Sequence, residues 1–573
     1  MRRAPAGLLC VLLAAGVCAS AAPDAIRVNQ VGFAPLAHKV AVLPAGASGE
    51  VEVIDAASGA VAWRGRAGPA GAWRESGESV RLADFSALAR PGEYRIRAAG
   101  VAPSERFAVR AGVYAELNRA ALKAYYFNRS GTALDASHAG VYARAAGHPD
   151  TRVLVHASAA STARPEGTVI ASAKGWYDAG DYNKYIVNSG ISTCTLLAAF
   201  EHYPGYFARQ RSAIPESGNA LPDILDEALW NLEWMLTMQD PHDGGVYNKL
   251  TNLRFDGIVM PAQAGAERYV VQKGTAATLD FAATMATASR VLKPYEKQLP
   301  GLSAKMLRAA EAAWAWARAN PAVVFRNPAG VLTGEYGDAT FDDEFAWAAA
   351  ELYISSGKDS YYAAMRPAGV TASVPQWADV RALAWISLAH HRNSLSAVAD
   401  RTLIAARIDT LAAALAARWR ASAYGVPMQG DDFVWGSNAV ALNQSMMLLQ
   451  AYRLNGKRDY LDAAQAGLDY VLGRNATGYS FVTGFGARQV MHPHHRPSMA
   501  DQVAAPVPGF LAGGPHAGQQ DKGDCKGQYP SALPALSYID DDCSYASNEV
   551  AINWNAPLVY VSAALDVLGG TAP

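Results

Sequence analysis

Residues 221–229 decide the fold class, and they read Leu221-Pro222-Asp223-Ile224-Leu225-Asp226-Glu227-Ala228-Leu229. Pro222 falls in the first turn of a predicted helix, where its missing amide hydrogen costs no helical bond. Leucines at 225, 229, 232 and 236 share one stripe of that helix, which predicts a buried face. Similar patterns recur near 305–319, 343–354, 402–420, 437–454 and 460–472. With hardly any strand pattern among them, these segments predict an all-α toroid with functional loops.

Residues 26–110 have a different sequence pattern, in which short segments that mix apolar and polar residues alternate with Gly and Pro turns. Strands are predicted at 40–43, 49–54, 79–82 and 92–97. Period-two alternation within 94–97 gives that strand one buried and one solvated face. The chain is therefore predicted to be multidomain, with a small all-β sandwich over 22–110 and the helical domain over 111–573.

The first 21 residues have the layout of an export signal. Arg2 and Arg3 supply the positive start, 8–17 form an apolar run, and Ala19-Ser20-Ala21 is a small-residue cleavage site. The run is too short to cross a bilayer, and no later apolar stretch reaches the length of about 18 residues that a span needs. We therefore predict a signal peptide at 1–21 and a periplasmic or extracellular protein without a membrane span.

The charge balance excludes several classes of partner. The 573 residues include 50 basic and 51 acidic side chains, which gives a formal charge of −1. Nucleic acid or an acidic membrane would require a basic excess, so neither is expected as the main partner. Apolar residues make up 51% of the chain, which is ample for a buried core. A neutral partner fits this composition best.

Three cysteines remain once the predicted signal is removed. Cys525 and Cys543 bracket a Gly/Pro-rich loop, and export permits a disulfide between them. Cys194 lies in an apolar run, where we expect a small buried side chain rather than a reactive thiol. The spacing contains no zinc-type cysteine pair.

The first acidic motif is Gly175-Trp176-Tyr177-Asp178-Ala179-Gly180-Asp181-Tyr182-Asn183-Lys184-Tyr185. Asp178 and Asp181 flank a small Ala-Gly turn, which lets the backbone approach a ligand, and the aromatic neighbours can stack on sugar rings. Two adjacent carboxylates can hold and activate a water molecule, one as the base and one as its orienting partner. A calcium loop or a polar helix cap is the alternative interpretation.

A second acidic motif runs from 538 to 556 and contains Glu549 among aromatic and apolar neighbours. Such surroundings raise the pKa of a carboxylic acid toward that of a general acid. The alternative is an acidic residue in the first turn of a helix, which the helix dipole favours. Between the two motifs, His492-Pro493-His494-His495-Arg496 could ligate a metal, but its Pro and Arg favour hydrogen bonding to hydroxyls.

These motifs resemble those of glycoside hydrolase family 9, in the subgroup with an N-terminal immunoglobulin-like domain. The Asp-Ala-Gly-Asp segment at 178–181, the His-x-Arg signature at 480–496 and the acidic signature at 538–556 follow in the family's order. The resemblance covers nearly the whole mature chain. It implies an (α/α)6 barrel and inverting hydrolysis of β-1,4-linked glucans, by an enzyme expected to be a monomer.

The resemblance also implies roles for individual residues. Asp181 corresponds to the catalytic base, Asp178 to the second carboxylate that holds the water, and Glu549 to the proton donor. His494 and Arg496 correspond to sugar-binding residues. Inversion requires the acid and the base on opposite faces of the sugar with room for water between them.

Metals are a point of departure from the family. Relatives bind zinc through cysteines where this chain has Arg129-Ser130 and Gly147-His148, so no zinc is predicted there. A structural calcium is expected from the resemblance, with a candidate ligand set of oxygen donors. That set is Asp342, Asp343, Glu344 and Asp379. A charged helix start is the alternative interpretation.

Three aromatic residues are candidates for sugar contacts: Trp435 in a loop before a helix, and Tyr177 and Trp554 beside the acidic motifs. An endo-acting β-1,4-glucanase on cellulose-like, mixed-linkage or xyloglucan-type chains is the leading prediction. The alternatives are an exo-acting hydrolase that releases glucose, cellobiose or glucosamine, and a non-catalytic carbohydrate-binding protein. Retention of all three acids argues against the last. The sandwich is expected to pack on the barrel rather than to bind sugar.

Overall fold

The computed structural model describes residues 25–569, so the signal peptide predicted at 1–21 lies outside the described residues. Eight strands form the N-terminal domain: β1 (Gly32–Phe33), β2 (Val40–Pro44), β3 (Glu50–Asp55), β4 (Val61–Arg66), β5 (Gly71–Trp73), β6 (Glu78–Asp84), β7 (Gly92–Ala98) and β8 (Phe107–Val109). They make one sheet of order β1-β8-β7-β3-β4 and a second of order β2-β6-β5.

The sandwich core forms where the inner faces of these two sheets meet. Val53 on β3 lies opposite Ile96 on β7, and both side chains are fully buried. The polar residues between the buried positions of these strands point outward, as the alternation in sequence predicts. Edge-to-face contacts of Phe33 with Phe85 and Phe107, at 5.5 and 5.7 Å, fill the centre.

The rest of the chain is mainly helical. The helices are α1 (Ala115–Phe127), α2 (Ala136–Ala139), α3 (Ile186–His202), α4 (Pro204–Phe207), α5 (Asp223–Thr237), α6 (Thr275–Leu292), α7 (Leu302–Ala319), α8 (Asp342–Ser356), α9 (Asp359–Met365), α10 (Arg381–His391), α11 (Arg401–Ala421), α12 (Ser437–Asn455), α13 (Arg458–Val471), α14 (Arg496–Ala500), α15 (Tyr545–Asn548) and α16 (Ile552–Leu568). Pro222 immediately precedes α5, one position outside the first turn in which the sequence placed it.

Six inner helices close a ring in which α3, α6, α8, α10, α12 and α16 each contact the next, and α16 returns to α3. The outer helices α1, α5, α7, α9, α11 and α13 pack around them. Nearly every side chain of α6 and α16 is buried, whereas α7 buries one stripe at Met306, Ala310, Ala313 and Ala317. The helical domain is therefore an (α/α)6 barrel preceded by an immunoglobulin-like sandwich.

A small sheet that sequence periodicity does not indicate lies within the barrel domain. It has the order β10-β9-β13-β12-β11 and is built from β9 (Val153–Val155), β10 (Val169–Ile170), β11 (Lys184–Tyr185), β12 (Lys249–Thr251) and β13 (Tyr269–Val270). Strands of two or three residues are too short to show a period. The sheet matters because β11 joins the first acidic motif directly to α3.

The sandwich packs directly on the barrel. Trp73 and Tyr424 lie ring to ring at 4.3 Å, and the Asn29 amide donates to Oδ1 of Asp469 at 2.9 Å. Arg27 contacts the Tyr424 hydroxyl and forms a 2.7 Å ion pair with Glu78. Over residues 25–569, no helix has both the length and the hydropathy needed to cross a membrane.

Candidate active site

Asp178 lies in the loop that precedes β11, with 1% of its surface exposed. Its Oδ1 accepts a hydrogen bond from the Asn188 amide and its Oδ2 one from the Tyr336 hydroxyl, both at 2.7 Å. Burial raises the pKa of Asp178 to about 8, the charge of Asp181 adds to the rise, and the two hydrogen bonds oppose it. Asp178 is thus a fixed carboxyl group that can exchange a proton near neutral pH.

Asp181 is also buried, and its hydrogen bonds concentrate on one oxygen. Oδ2 accepts from the side-chain amide of Asn183 at 2.5 Å, and from its backbone amide and the Tyr185 hydroxyl at 3.3 Å. Within residues 25–569, no hydrogen bond occupies Oδ1. Oδ1 is therefore the oxygen that can accept a proton from a water molecule.

Glu549, near the C-terminal end of the chain, contacts the loop that carries Asp178 and Asp181. Its Oε1 accepts from the Gly180 amide at 3.3 Å. Protein atoms surround its carboxyl group densely, although the residue keeps some solvent access. Burial raises the pKa of Glu549 well above its usual value, and the charges of Asp181 and Asp178 raise it further. This group is suited to hold a proton until a leaving oxygen needs it.

Gly180 lets these segments come together. A Cβ atom on Gly180 would lie 2.3 Å from the His494 carbonyl oxygen and 3.2 Å from Oε1 of Glu549. The Gly180 carbonyl in turn accepts from the backbone amide of Arg496 at 3.1 Å and from its Nη1 at 2.9 Å. The segments that carry the two acidic motifs and the His-x-Arg signature therefore interlock at one glycine.

His494 and Arg496 differ in how free they are to contact a ligand. His494 is partly exposed, and its Nδ1 lies 2.6 Å from the Asp542 carbonyl, which fixes Nδ1 as the donor and leaves Nε2 as an acceptor. Burial lowers the pKa of His494. Arg496 is buried, bonded to Gly180, and donates to the Asp256 carbonyl at 3.0 Å. Arg496 thus supports the loop as well as the cleft.

Only one of the three predicted sugar-stacking rings lies open to solvent. Trp435 is 44% exposed and packs beside Tyr545 at 5.5 Å, and Tyr545 in turn lies 6.3 Å from His494. Tyr177 is 1% exposed and hydrogen-bonded to His148, and Trp554 is 8% exposed beneath Gly436. The sequence-based expectation for Tyr177 and Trp554 is therefore corrected, because neither ring presents a face to a sugar.

Sequence reasoning missed Tyr336 and Asn188, the two donors to Asp178. Tyr336 stands 158 positions away from its partner, so no local pattern indicates it. Its backbone has φ of 47°, in the left-handed region that a tyrosine rarely adopts. Asn188 lies on the first turns of α3, ten residues beyond Asp178. Asn188 is one of several polar residues in α3, so its presence there gave no specific signal.

The places where relatives carry zinc ligands are occupied by other interactions. Arg129 forms ion pairs with Glu227 at 2.9 Å and Glu216 at 3.0 Å, and the Ser130 hydroxyl donates to the His148 carbonyl. Nδ1 of His148 lies 2.9 Å from the Tyr177 hydroxyl, so that ring already has a partner. These contacts give the region a hydrogen-bonded core of its own.

The expected calcium ligands fit a hard cation only in part. Asp342 is exposed, and Asp379 is paired with Arg381 at 2.7 Å. Glu344 is buried with Oε2 lacking a hydrogen-bond partner, and both carboxylate oxygens of the neighbouring Asp280 are buried and unpartnered too. Burial and the charges of Asp280 and Asp343 raise the pKa of Glu344 to about 11. Over residues 25–569, no three acidic, histidine or cysteine side chains converge as a ready coordination shell.

The loop before Glu549 is closed by a covalent link. Cys525 and Cys543 are joined by a disulfide, at the two positions that the sequence paired. The Tyr529 hydroxyl within this loop donates to Asp521 at 2.7 Å, and Asp521 accepts in turn from Ser544 at 2.8 Å. The disulfide and these hydrogen bonds therefore hold the loop in place beside α15. Cys194 is buried, as an apolar side chain would be.

Comparison with known proteins agrees with this geometry. Residues 114–562 match the family model of glycosyl hydrolase family 9, and residues 21–102 match that of the cellulase N-terminal ig-like domain. The chain is 45% identical over 565 residues to a xyloglucan-specific endo-beta-1,4-glucanase of Bacteroides ovatus, covering 95% of this chain and 94% of that protein. It is 33% identical to endoglucanase D of Acetivibrio thermocellus, covering 94% and 83%.

Solved structures of endoglucanases and of a GH9 protein also resemble this chain over most of its length. A structure described as Bacteroides ovatus GH9 superposes with a TM-score of 0.89 at 42% identity, covering 96% of this chain and 100% of that one. A thermostable endoglucanase from Alicyclobacillus acidocaldarius superposes with a TM-score of 0.86 at 34% identity, covering 95% and 100%. The chain therefore belongs to glycosyl hydrolase family 9, as a glycoside hydrolase with an N-terminal immunoglobulin-like domain.

Proposed function

We propose that this enzyme is an inverting endo-β-1,4-glucanase that cleaves soluble β-glucan chains, with Glu549 as the acid and Asp181 as the base. The observation that carries the proposal is the junction at Gly180. There, the carboxyl group of Glu549, whose pKa is strongly raised, accepts a hydrogen bond from the Gly180 amide. Asp181 is the next residue in the chain, and its Oδ1 accepts no hydrogen bond from the described residues. Acetal hydrolysis needs such a pair.

These placements support the following reaction. Glu549 gives its proton to the glycosidic oxygen as the bond from that oxygen to the anomeric carbon breaks. A water molecule attacks the anomeric carbon from the opposite face, and Oδ1 of Asp181 takes the proton that the water loses. Asp178, held by Asn188 and Tyr336, orients the same water. One displacement of this kind inverts the anomeric configuration, and exchange with solvent then restores both proton states.

The remaining groups bind and orient the sugar. Nε2 of His494 is available to accept a hydrogen bond from a sugar hydroxyl, because Nδ1 is committed to Asp542. Trp435 offers an exposed ring face beside Tyr545, which suits stacking on a pyranose. Arg496 positions the Gly180 loop and keeps its remaining guanidinium nitrogen for substrate oxygens.

We propose xyloglucan-type or other soluble β-1,4-glucans as the substrates, since a 45% identical relative is described as specific for xyloglucan. An exo-acting hydrolase is the second candidate, because the same relatives include a cellodextrinase of Butyrivibrio fibrisolvens at 32% identity. The walls of the cleft decide between the two modes, and internal cleavage agrees with the several endoglucanases among the relatives.

A product time course tests the proposal. Purified enzyme is incubated with a cellohexaose and, separately, with xyloglucan and carboxymethylcellulose, with Glu549→Gln as the inactive control. Mixed oligosaccharides at the earliest time points support internal cleavage, whereas one small product from the start would establish exo action. Proton NMR of the first product tests inversion, because the α-anomer must appear before mutarotation.

We further propose that residues 343 and 344 hold a structural calcium near Asp280. The support is chemical, since buried carboxyl oxygens without hydrogen-bond partners repel one another until a cation or protons neutralise them. Calcium added to chelator-treated enzyme should raise the melting temperature, and Asp343→Asn should reduce that gain. Equal melting curves with calcium and with chelator would overturn the assignment.

The domain limits, export and oligomeric state are proposed as the sequence predicts them. Residues 22–110 form the sandwich and 111–573 the barrel domain, the signal peptide at 1–21 directs export and is then removed, and the enzyme is a monomer. The contacts of Trp73 and Asn29 with the barrel support the sandwich as its packing partner. Deletion of 22–110 should therefore lower the melting temperature of the barrel, and a truncation as stable as the full enzyme would contradict this role.

A further inference from the structure

Lys249 is a buried lysine close to the proposed catalytic base. It lies on β12 directly opposite Tyr185 on β11, and its side chain is fully buried. Its ammonium lies 5.5 Å from the centre of the Tyr185 ring. The hydroxyl of that same ring reaches Oδ2 of Asp181 at 3.3 Å. One aromatic side chain therefore separates the cation from the carboxylate.

The ammonium is bound entirely by neutral groups. It donates to Oδ1 of Asn327 at 2.7 Å, to the Thr333 hydroxyl at 2.9 Å and to the Gly334 carbonyl at 2.6 Å. These three acceptors match the three donors of a charged lysine. Over residues 25–569, no carboxylate forms an ion pair with Lys249. A buried cation without a paired anion is costly unless hydrogen bonds compensate it, so the ammonium depends on these acceptors to remain in place.

Lys249 binds the loop segment that carries Tyr336, the residue whose hydroxyl contacts Asp178. Thr333 and Gly334 precede Tyr336 by three and two positions, and the Thr333 carbonyl is also held by the Asn327 amide at 2.7 Å. Tyr336 adopts an unfavourable positive φ while its hydroxyl donates to Asp178. Strained backbone persists only where the surroundings hold it in place, and Lys249 is a main support of this loop.

We propose that Lys249 is a positioning residue for both carboxylates of the catalytic loop, a role that rests on the function proposed above. Through Thr333 and Gly334 it fixes the loop that places Tyr336 on Asp178. Its charge also acts on Asp181 across the ring of Tyr185. A single buried lysine thus links the geometry of one carboxyl group to the charge of the other.

The charges around Lys249 agree with this role. Burial lowers the pKa of Lys249 to about 7, and the attractions of Asp181 and Glu335 oppose the decrease. Glu335 is partly exposed and already pairs with Arg326 at 3.4 Å, so Asp181 is the buried acid that the ammonium affects. Below about pH 7 the ammonium carries its charge.

Asp181 also lies near other charged groups. Its negative charge raises the pKa values of Asp178 and Glu549 and favours the protonated form of His494. A Lys249→Met variant loses the ammonium and also the anchoring of the loop that places Tyr336 on Asp178, so a variant that changes only the anchoring is needed to separate the two effects. Burial raises the pKa of the Tyr185 hydroxyl well above its usual value, so Tyr185 stays neutral at every pH at which the enzyme would be assayed.

The test is the pH dependence of kcat/KM for Lys249→Met on a soluble glucan, with Lys39→Met as the matched control. Lys39 is another fully buried lysine, but it is bound to the carbonyls of Pro35 and Ala37 in the sandwich and has no contact with the catalytic loop. We expect Lys249→Met to shift the acid limb upward by about 1 pH unit and to lower kcat more than it changes KM. Lys39→Met should leave the acid limb unchanged even if its melting temperature falls.

Two further variants separate the charge from the anchoring. Lys249→Arg keeps a charge and should keep the acid limb near its wild-type position, whatever its kcat. Thr333→Val removes one anchor but keeps the ammonium, so it should lower kcat without moving the acid limb. A folded Lys249→Met with the wild-type acid limb would overturn the electrostatic role. If Lys249→Met does not fold, a wild-type kcat for Thr333→Val would overturn the anchoring role.

Asp181→Asn distinguishes a failure here from a failure of the proposed function. If Asp181→Asn retains near-normal turnover, then Asp181 is not the base and the function proposed above is wrong. If Asp181→Asn is inactive while Lys249→Met behaves as wild type, only the role of Lys249 is wrong.

Discussion

The hydroxyl of Tyr336 donates a 2.7 Å hydrogen bond to Oδ2 of Asp178, across 158 positions of the chain. Asn188 donates to the other oxygen, so both oxygens of Asp178 are fixed by neutral groups. These bonds oppose the rise in the pKa of Asp178 that burial and Asp181 cause. The long loop before α8 therefore belongs to the catalytic site, although it carries none of the acidic motifs.

Replacement of Tyr336 by Phe should reduce kcat by about 10- to 100-fold with little change in KM, because Asp178 loses one of the two hydrogen bonds that fix its carboxyl group. Tyr206→Phe is the matched control, since its hydroxyl also contacts an aspartate, Asp566, but near the C-terminal end of α16. The measurement is steady-state kinetics on one soluble glucan for all three proteins. Equal kcat values for Tyr336→Phe and the wild type would show that Asp178 does not depend on this contact.

Gly180→Ala should cost at least about 100-fold in kcat/KM, because a Cβ atom would lie 2.3 Å from the His494 carbonyl and separate the two acidic segments. Gly218→Ala serves as the control, since a Cβ atom there meets no atom within 4 Å. Kinetics and melting curves are measured on both variants. Full activity of Gly180→Ala would mean that the acidic segments need not meet at this glycine.

The helices and the acidic motifs could be predicted from the sequence, because both depend on local patterns. The stripe at 225, 229, 232 and 236 required only the 3.6-residue period, and α7, α8, α11, α12 and α13 begin and end within three residues of their predicted limits. Asp178, Asp181 and Glu549 stand in contiguous motifs that the structure brings to one point, at Gly180.

What the sequence could not supply depends on the direction of side chains and on distant partners. Tyr177 is adjacent to Asp178 in sequence, yet its ring is buried and its hydroxyl bonds to His148, a partner that the motif does not indicate. Tyr336 and Lys249 reach the site from loops and strands that no pattern connects to it. Trp435 is exposed and Trp554 is buried, although Trp554 is the ring that adjoins an acidic motif in the sequence.

Glu549→Gln should lose several orders of magnitude on a natural glucan but far less on an aryl cellobioside with a dinitrophenol leaving group. A good leaving group departs without being protonated, so the reaction no longer needs a general acid but still needs the base. The wild type should lose kcat/KM as the pH rises through the raised pKa of Glu549, and the variant should lack that alkaline limb. Equal losses on both substrates would assign Glu549 another role.

Trp435→Ala should raise KM by about 3- to 10-fold with a smaller effect on kcat, because its exposed ring contributes stacking rather than proton transfer. Val434→Ala is the control, since Val434 is the neighbouring exposed apolar residue but has no aromatic face. Initial rates on cellohexaose and on cellotriose are compared. An unchanged KM on both substrates would remove Trp435 from the binding surface.

Arg129→Met should destabilise the enzyme by about 3–5 kcal/mol, because it leaves the buried carboxylate of Glu227 without its cation. Glu227 would keep only the indole of Trp176, which donates to its Oε1 at 2.8 Å. The double variant Arg129→Met/Glu227→Gln should recover part of the loss, since no unpaired charge then remains in the core. Urea unfolding of the three proteins gives the free energies. If the double variant were no more stable than Arg129→Met, the loss would come from packing around Trp230, on which the guanidinium lies at 4.5 Å, rather than from charge.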